Sequence, residues 1–348
     1  MKKNYHICVS GGDEIIFRDV EDYNRGFNFF ALALCKTNTV GLVEAFMSTH
    51  CHLLVQTEDP NGFVHTFRNS YSKYYNYKYQ RSGRLGESHH FSLDIVGYHH
   101  LVAAASYVLR NPLHHGVVPI PYAYPHSSIN SIFRREMGKF LDEPIISSKA
   151  PLRKLFGRFT EYPSTYKFTS SGLLLRESVL DIPQMENLFV TPRSFNYYMT
   201  RKSSEEWEAE QQKDNISSIP INIKEVERNV NLNTYDEMLY FEAGKADYRK
   251  MTDIELCTEI NKLVQDRYHK QSVYQLDPQE QKQMAEDAEK MKFIEKNKIS
   301  LEQLILLNKL SESEIAQLLK QKEEEELLAE IEKEKKEALS HEKNEVIS

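Results

Sequence analysis

Two consecutive strand-like segments flanked by helical segments most constrain how this 348-residue chain can fold. Residues 39–47 and 50–56 are rich in aliphatic and β-branched side chains and almost touch in sequence, which predicts a β-hairpin. Apolar side chains at helical spacing predict a helix over 19–36, begun by the capping residue Asp19, and a second over about 62–78. This order predicts an α+β fold, with helices packed on one side of a sheet.

Two further elements are expected in the same part of the chain. Residues 5–9 read as a short strand that ends at a pair of glycines. Residues 98–110 read as a third helix. The Asn111-Pro112 pair is expected to end this helix, because a residue before proline is disfavoured in the helical region.

The charge of the chain is unevenly distributed. A net charge of −7 taken alone argues against binding to nucleic acid, but residues 60–86 contain no Asp or Glu. Cations interleaved with aromatic rings suit a single strand, because the cations meet phosphates and the rings stack on bases. The alternative is an amphipathic core helix whose tyrosines face inward. The candidate nucleic-acid-binding residues are Arg68, Lys73, Lys78, Arg81 and Arg84.

Histidines are concentrated in the first third of the chain. Because alternate side chains of a strand share one face, His50 and His52 point the same way and can converge on one metal ion. The alternative is a pair of surface histidines. Other histidines of this region could contribute to the site, although most are expected at the surface or against nucleic acid; they are His65, His89, His90, His99, His100, His114 and His115.

The third predicted helix carries a candidate nucleophile. Tyr107 and Asn111 are four residues apart and therefore lie on one helical face. A tyrosine oxygen can attack a phosphodiester and hold one end covalently, while a metal ion polarises the phosphate. The Asn111 side chain offers a carbonyl oxygen to such a metal. The alternative is a packing tyrosine, since the chain has 20 tyrosines.

Three segments in this order resemble one known family. Segment 47–55 reads Met-Ser-Thr-His-Cys-His-Leu-Leu-Val and is similar to the metal-binding strand of the single-strand tyrosine transposases, which belong to the HUH nucleases. Segment 107–118 resembles the nucleophile segment of the REP-associated branch, and 124–128 resembles the turn that follows it. The sequence departs from the family at Ser48-Thr49, where Pro-Asn is usual, and within 83–90, where an aromatic residue and an arginine are missing.

This resemblance covers roughly residues 1–140 and implies a ferredoxin-like HUH nuclease domain. It implies Tyr107 as nucleophile, His50 and His52 as ligands of Mg²⁺ or Mn²⁺, and Asn111 as a third ligand. The implied activity is DNA transposition by cleavage and rejoining of single-stranded DNA through a 5′-phosphotyrosine. The implied partner is hairpin DNA flanked by single strand.

Beyond residue 140 the sequence predicts a mostly helical extension. We divide it into an uncharacterised mixed region at 141–285, a helical hairpin with a possible helix-turn-helix at 286–320, and an acidic helical or disordered tail at 321–348. Scattered cysteines without a C-x-x-C pair predict a cytoplasmic protein with reduced thiols. No apolar run is long enough for a bilayer, so no membrane partner is expected, and a homodimer remains open.

Two alternatives to a transposase stay open at this stage. A replication initiator or relaxase uses the same histidines and tyrosine, although relaxases generally keep a three-histidine cluster, which the His-x-His pattern does not show. A domesticated or degenerate copy would hold structured DNA without cutting it.

Overall fold

A computed structural model describes most of the first 290 residues. The described ranges are 1–140, 143–146, 162–201, 204–214, 219–230, 239–242, 245–249 and 252–290. Residues 291–320 of the predicted helical hairpin and the predicted acidic tail at 321–348 lie outside the described residues.

An antiparallel sheet forms the centre of the fold. Its strands pair in the order β2-β3-β1-β4, and every neighbouring pair is antiparallel. The α+β class is therefore confirmed. The strands are β1 (Lys3–Ser10), β2 (Val40–Phe46), β3 (His50–Thr57) and β4 (Phe91–Ile95).

Three long helices accompany the sheet, and the residues that begin them explain their positions. The helices are α1 (Val20–Lys36), α2 (Pro60–Lys78) and α3 (Tyr98–His114). Asp19 caps α1 by accepting a hydrogen bond from the Asp22 backbone N–H, and Asp59 caps α2 by accepting one from that of Gly62. These bonds satisfy N–H groups that a first helical turn leaves without a partner.

The two faces of β3 meet different helices. Cys51 lines a small cavity together with Phe67 and Tyr71 of α2, so this side chain faces the α1–α2 layer. His50 and His52 point to the other face, where His52 lies against Tyr107 of α3. The alternation of a strand thus separates an apolar core face from a polar face under α3.

Helix α3 runs further than the sequence predicts. The expected end at Asn111-Pro112 is wrong, because the helix includes Pro112 and ends at His114. The last carbonyls still find donors: Asn111 O accepts from His115 N at 3.0 Å, and Pro112 O accepts from Val117 N at 2.9 Å. These bonds satisfy carbonyl groups at the end of the helix, which have no partner within it.

The chain after residue 140 is mostly helical in the described ranges, as predicted. Its helices are α4 (Arg176–Val179), α5 (Ile182–Phe189), α6 (Pro192–Thr200), α7 (Ser204–Gln211), α8 (Ile223–Val226), α9 (Asp253–Tyr268) and α10 (Pro278–Lys290). Two small sheets also occur, formed by the pair β5 (Ile145–Ile146) and β6 (Phe168–Thr169) and by the pair β7 (Leu239–Glu242) and β8 (Lys245–Arg249). No helix among the described residues is both long and apolar enough to cross a membrane.

This later part of the chain packs directly on the sheet. At the edge strand β2, Gly41 forms a bridge to Leu180, and Gly41 O accepts from Asp181 N at 2.9 Å. A Cβ atom at Gly41 would lie 2.7 Å from Leu180 Cδ2, so a larger residue there would require the Leu180 side chain to shift. The edge of the sheet is thereby covered rather than left open to pairing with another chain.

A buried ion pair joins the same two parts of the protein. Glu44 on β2 is fully buried, and its carboxylate accepts a hydrogen bond from Arg176 Nε. Burial raises the pKa of Glu44, and the Arg176 charge acts in the opposite direction. The pair matters because a buried carboxylate without a partner is costly.

Replacing Arg176 alone is expected to destabilise the protein strongly. In Arg176→Met, Glu44 stays buried without its cation, so the free energy of unfolding should fall by roughly 3–5 kcal/mol, measured by urea denaturation. The double variant Glu44→Gln/Arg176→Met should recover most of this loss. Equal destabilisation in the single and double variants would show that packing, not the buried charge, carries the effect.

Candidate functional site

The polar face of the sheet places two histidines beside each other. His50 and His52 are fully buried on β3, and their ring centroids lie 5.0 Å apart. The pairing of β1 with β3 sets Cys8 opposite His52 and Ser10 opposite His50. Because β3 is an inner strand of the sheet, the two imidazoles have fixed positions.

A third histidine completes a cluster. His115 directly follows α3, and its ring lies 5.1 Å from that of His50. One ring nitrogen from each of His50, His52 and His115 lies within 4.8 Å of the other two. The sequence left His115 among several histidines that could contribute to the site and did not distinguish it from those expected at the surface or against DNA. Its position four residues after Asn111, on one helical face, was the signal that could have found it.

Hydrogen bonds orient the two strand histidines. His6 Nε2 on β1 lies 3.1 Å from His52 Nδ1, and Asn111 Oδ1 lies 3.1 Å from His50 Nε2. Thr49 Oγ1 contacts the other nitrogen of His50 at 3.1 Å. If His52 Nδ1 donates to His6, then Nε2 of His52 carries the lone pair. His6 is a residue that the sequence reasoning missed, because its pairing to β3 is a property of the sheet.

The cluster has the properties of a metal site. His52 Nε2 and His115 Nε2 are buried and have no hydrogen-bond partner. Burial lowers the pKa of His50 to about 4 and that of His115 to about 3, so these imidazoles are neutral at ordinary pH. A neutral imidazole with a free lone pair is the form that binds a metal ion.

Tyr107 lies at the edge of this cluster. Its ring is 5.4 Å from that of His52 and 5.5 Å from that of His6. Trp207 on α7 packs against it at 5.8 Å and donates its indole N–H to Ala103 O at 3.0 Å. The structure therefore brings Tyr107, Asn111, His50 and His52 together.

Glu227 contacts the candidate nucleophile. Tyr107 Oη donates a hydrogen bond to Glu227 Oε1 at 2.6 Å, and His114 Nε2 lies 3.2 Å from the same oxygen. Burial and the Glu227 charge raise the pKa of Tyr107 well above its ordinary value. Burial by itself would raise the pKa of Glu227, but hydrogen bonds from His114 and Tyr107 hold that pKa below its ordinary value. No sequence signal marked Glu227, which follows α8, 120 residues from Tyr107.

The predicted basic residues do not all face solvent. Lys78 forms ion pairs with Asp19 and Asp22, and Arg81 forms one with Glu14. The tyrosines at positions 71, 75 and 79 are buried, which agrees with the alternative of an amphipathic core helix for this segment.

Three of the five basic residues line an open groove. The groove has a volume of about 510 Å³, and its wall includes Arg68, Lys73 and Arg84. Arg68 donates to the backbone carbonyls of Leu85 and Ser88, whereas Lys73 and Arg84 are exposed. His65 and His90 also line the groove, which gives it a mainly polar and basic wall.

Part of this chain is similar to a protein of known structure. The solved structure of a REP-associated tyrosine transposase bound to a REP hairpin matches with a TM-score of 0.35 and 11% sequence identity. The match covers 40% of this chain and 84% of that one. A TM-score this low does not by itself establish a shared fold. Neither protein-family models nor curated protein sequences give a match.

Metal affinity is the first property that the cluster should display. We expect wild-type protein to bind Mn²⁺ or the spectroscopic probe Co²⁺ with one equivalent per chain, followed by calorimetry or absorbance. His52→Ala should weaken binding by more than about 100-fold, and His6→Phe by about 10- to 100-fold, because it removes only the partner that orients His52. The exposed His65→Ala is the control and should bind as wild type does. Unchanged affinity in His52→Ala would refute a metal site here.

Proposed function

We propose that this protein is a metal-dependent single-strand DNA transesterase of the HUH tyrosine transposase type. One observation carries the proposal: a tyrosine hydroxyl, three neutral imidazoles and an amide oxygen meet on one face of a sheet. Phosphodiester transfer through a covalent tyrosine needs a nucleophile placed beside metal ligands in this way.

The order of the elements supports an HUH-type ferredoxin-like fold. The chain runs β1-α1-β2-β3-α2-β4, and the strands pair in the order β2-β3-β1-β4. This is the split βαβ arrangement of ferredoxin-like domains. Helix α3 follows it and carries Tyr107.

Four side chains fit the proposed metal ion. His50, His52 and His115 supply imidazoles, and Asn111 supplies an amide oxygen 3.1 Å from His50 Nε2. These two atoms are close enough that both would hold the same ion. Three imidazoles favour Mn²⁺ over Mg²⁺, which prefers oxygen ligands. When bound, the ion would polarise the scissile phosphate and stabilise the leaving oxygen.

Tyr107 performs the covalent step in this proposal. Its oxygen attacks the phosphorus and loses its proton, a bond from phosphorus to Tyr107 Oη forms, and the bond to the 3′ oxygen breaks. The 3′ oxygen takes up a proton, which leaves a 5′-phosphotyrosine and a free 3′-hydroxyl. Attack by a 3′-hydroxyl on the phosphotyrosine reverses these changes and rejoins the strand, so the bond energy is conserved.

The groove on α2 is the proposed place for the DNA backbone. Lys73 and Arg84 are exposed there and accessible to phosphates, and Arg68 adds a third cation. A second cavity, between β1 and the segment after α8, shares His90 with this groove. A strand lying in the groove would thus continue toward the end of β1, which is next to His50.

Specific observations also support two other functions. The cluster contains a third histidine, His115, so the reason given above against a replication initiator or relaxase no longer holds. The burial of Tyr107, His50 and His52 favours a protein that holds structured DNA without cutting it. An activity measurement separates the protein that only holds DNA from the transposase.

The covalent adduct is the decisive product. Labelled single-stranded hairpin DNA from the flanks of the gene, incubated with wild type and Mn²⁺, should yield a protein–DNA adduct visible on a denaturing gel. Tyr107→Phe should reduce it by at least about 1,000-fold, because it removes the nucleophilic hydroxyl and little packing. Tyr77→Phe, at an exposed position, should match wild type, and a chelator should abolish the adduct. An adduct that persists in Tyr107→Phe would assign the nucleophile to another tyrosine.

The groove should contribute a salt-dependent part of DNA binding. Lys73→Gln/Arg84→Gln should weaken binding of single-stranded DNA and make the logarithmic salt dependence shallower by about 1–2 ions, measured by fluorescence anisotropy at several salt concentrations. The exposed Lys36→Gln, outside the groove, is the control. An unchanged salt slope in the double variant would place the DNA elsewhere.

A further inference from the structure

A segment from outside the first 140 residues lies over the candidate site. Residues 219–230 contain the short helix α8, and Val230 forms a bridge to Gly12 just after β1. Ser10 at the end of β1 donates a hydrogen bond to Asn229 O. Val226 and Val230 are buried, so apolar contacts also hold this segment in place.

The segment delivers one negative charge to the nucleophile. Glu227 Oε1 lies 2.6 Å from Tyr107 Oη, 3.2 Å from His114 Nε2 and 3.6 Å from His115 Nε2. The Glu227 side chain is only 9% exposed, so these contacts replace water for its carboxylate. The structure therefore contains an anion-binding position between the Tyr107 hydroxyl and the His114 imidazole.

A scissile phosphodiester would need this same position. A reacting phosphorus must lie within about 3–3.5 Å of the attacking oxygen, and it must also be next to the metal ligands. The Glu227 carboxylate already lies at this distance from Tyr107 Oη and beside His115. Two anions at such a separation repel each other strongly in a site from which water is excluded.

We propose that the position between Tyr107 Oη and His114 Nε2 is the scissile-phosphate site, and that Glu227 occupies it as an internal stand-in for the phosphate. Single-stranded DNA displaces residues 223–230, and the DNA phosphate then takes the contacts that Glu227 makes. The segment acts as a competitive inhibitor built into the chain. This inference rests on the proposed function for the identity of its ligand, a DNA phosphodiester.

The burial of the cluster indicates that DNA reaches it by displacing residues 223–230, and not by passing these residues while they are in place. Tyr107 is 6% exposed, and His50, His52 and Asn111 are fully buried. The segment at residues 223–230 begins with a short helix, and Glu227 N holds the end of this helix by donating to Ile223 O at 2.9 Å. A four-residue helix contributes little stability of its own, so its position depends on the contacts of Glu227, Val226 and Val230.

The test compares DNA binding in Glu227→Gln and Glu225→Gln. The first variant keeps the shape of the side chain and removes its charge at Tyr107; the second removes the same charge from an exposed residue two positions earlier. Binding of a single-stranded oligonucleotide is measured by fluorescence anisotropy in chelator, so no cleavage takes place. We expect Glu227→Gln to bind about 10-fold more tightly than wild type and Glu225→Gln to bind within about twofold of it.

Equal or weaker binding in Glu227→Gln overturns the inference. Tighter binding without any adduct in metal would uphold the internal stand-in and reject the transesterase, so the two proposals fail separately. A faster rate of adduct formation in Glu227→Gln upholds both. A lost adduct in that variant, with unchanged binding, would instead make Glu227 a required proton acceptor and overturn the inference.

Hydrogen exchange of residues 223–230 gives an independent measurement. With wild-type protein, saturating oligonucleotide should speed amide exchange in residues 223–230 by more than about 10-fold, because displacement exposes those amides to water. Amides of β3 should exchange at the same rate with and without DNA. Slower or unchanged exchange in 223–230 would show that DNA binds with the segment in place.

Discussion

The contact between α3 and the polar face of β3 is the interaction on which the candidate site depends. It takes His50 and His52 out of water, which keeps their imidazoles neutral and leaves His52 Nε2 without a hydrogen-bond partner. Such a nitrogen is unfavourable in a dry interior unless it binds a proton donor or a metal ion. The same contact sets Tyr107 and Asn111 against the two histidines. The contact between α3 and β3 therefore belongs to the packing of the fold and also assembles the candidate site.

The part of the chain after residue 140 completes this arrangement instead of standing apart from it. Arg176 balances the buried Glu44, Trp207 packs on Tyr107, and Glu227 accepts the hydrogen bond of the Tyr107 hydroxyl. Ser48, beside the strand histidines, donates to Asp253 at 2.7 Å. The stability of the sheet and the access to the site thus depend on residues far apart in sequence.

Particular elements show how far the sequence could predict the fold. The cap Asp19 and the hairpin of β2 and β3 follow from local chemistry, because each depends on residues within a few positions. Strand β4 was missed because its burial is partial and its partner β1 lies far back in the chain. The end of α3 was misplaced because the capping that tolerates Pro112 uses residues up to Val117.

The sequence by itself determined which residues can do the chemistry: alternate positions in a strand align His50 with His52, and a four-residue helical spacing aligns Tyr107 with Asn111. Only the tertiary structure decided that His6 orients His52, that His115 joins the cluster and that Glu227 meets the nucleophile. It also decided which cations stay free, since Lys78 and Arg81 find acidic partners across the fold. The physical reason is that local periodicity fixes the direction of a side chain, whereas burial and charge pairing depend on what the folded chain brings against it.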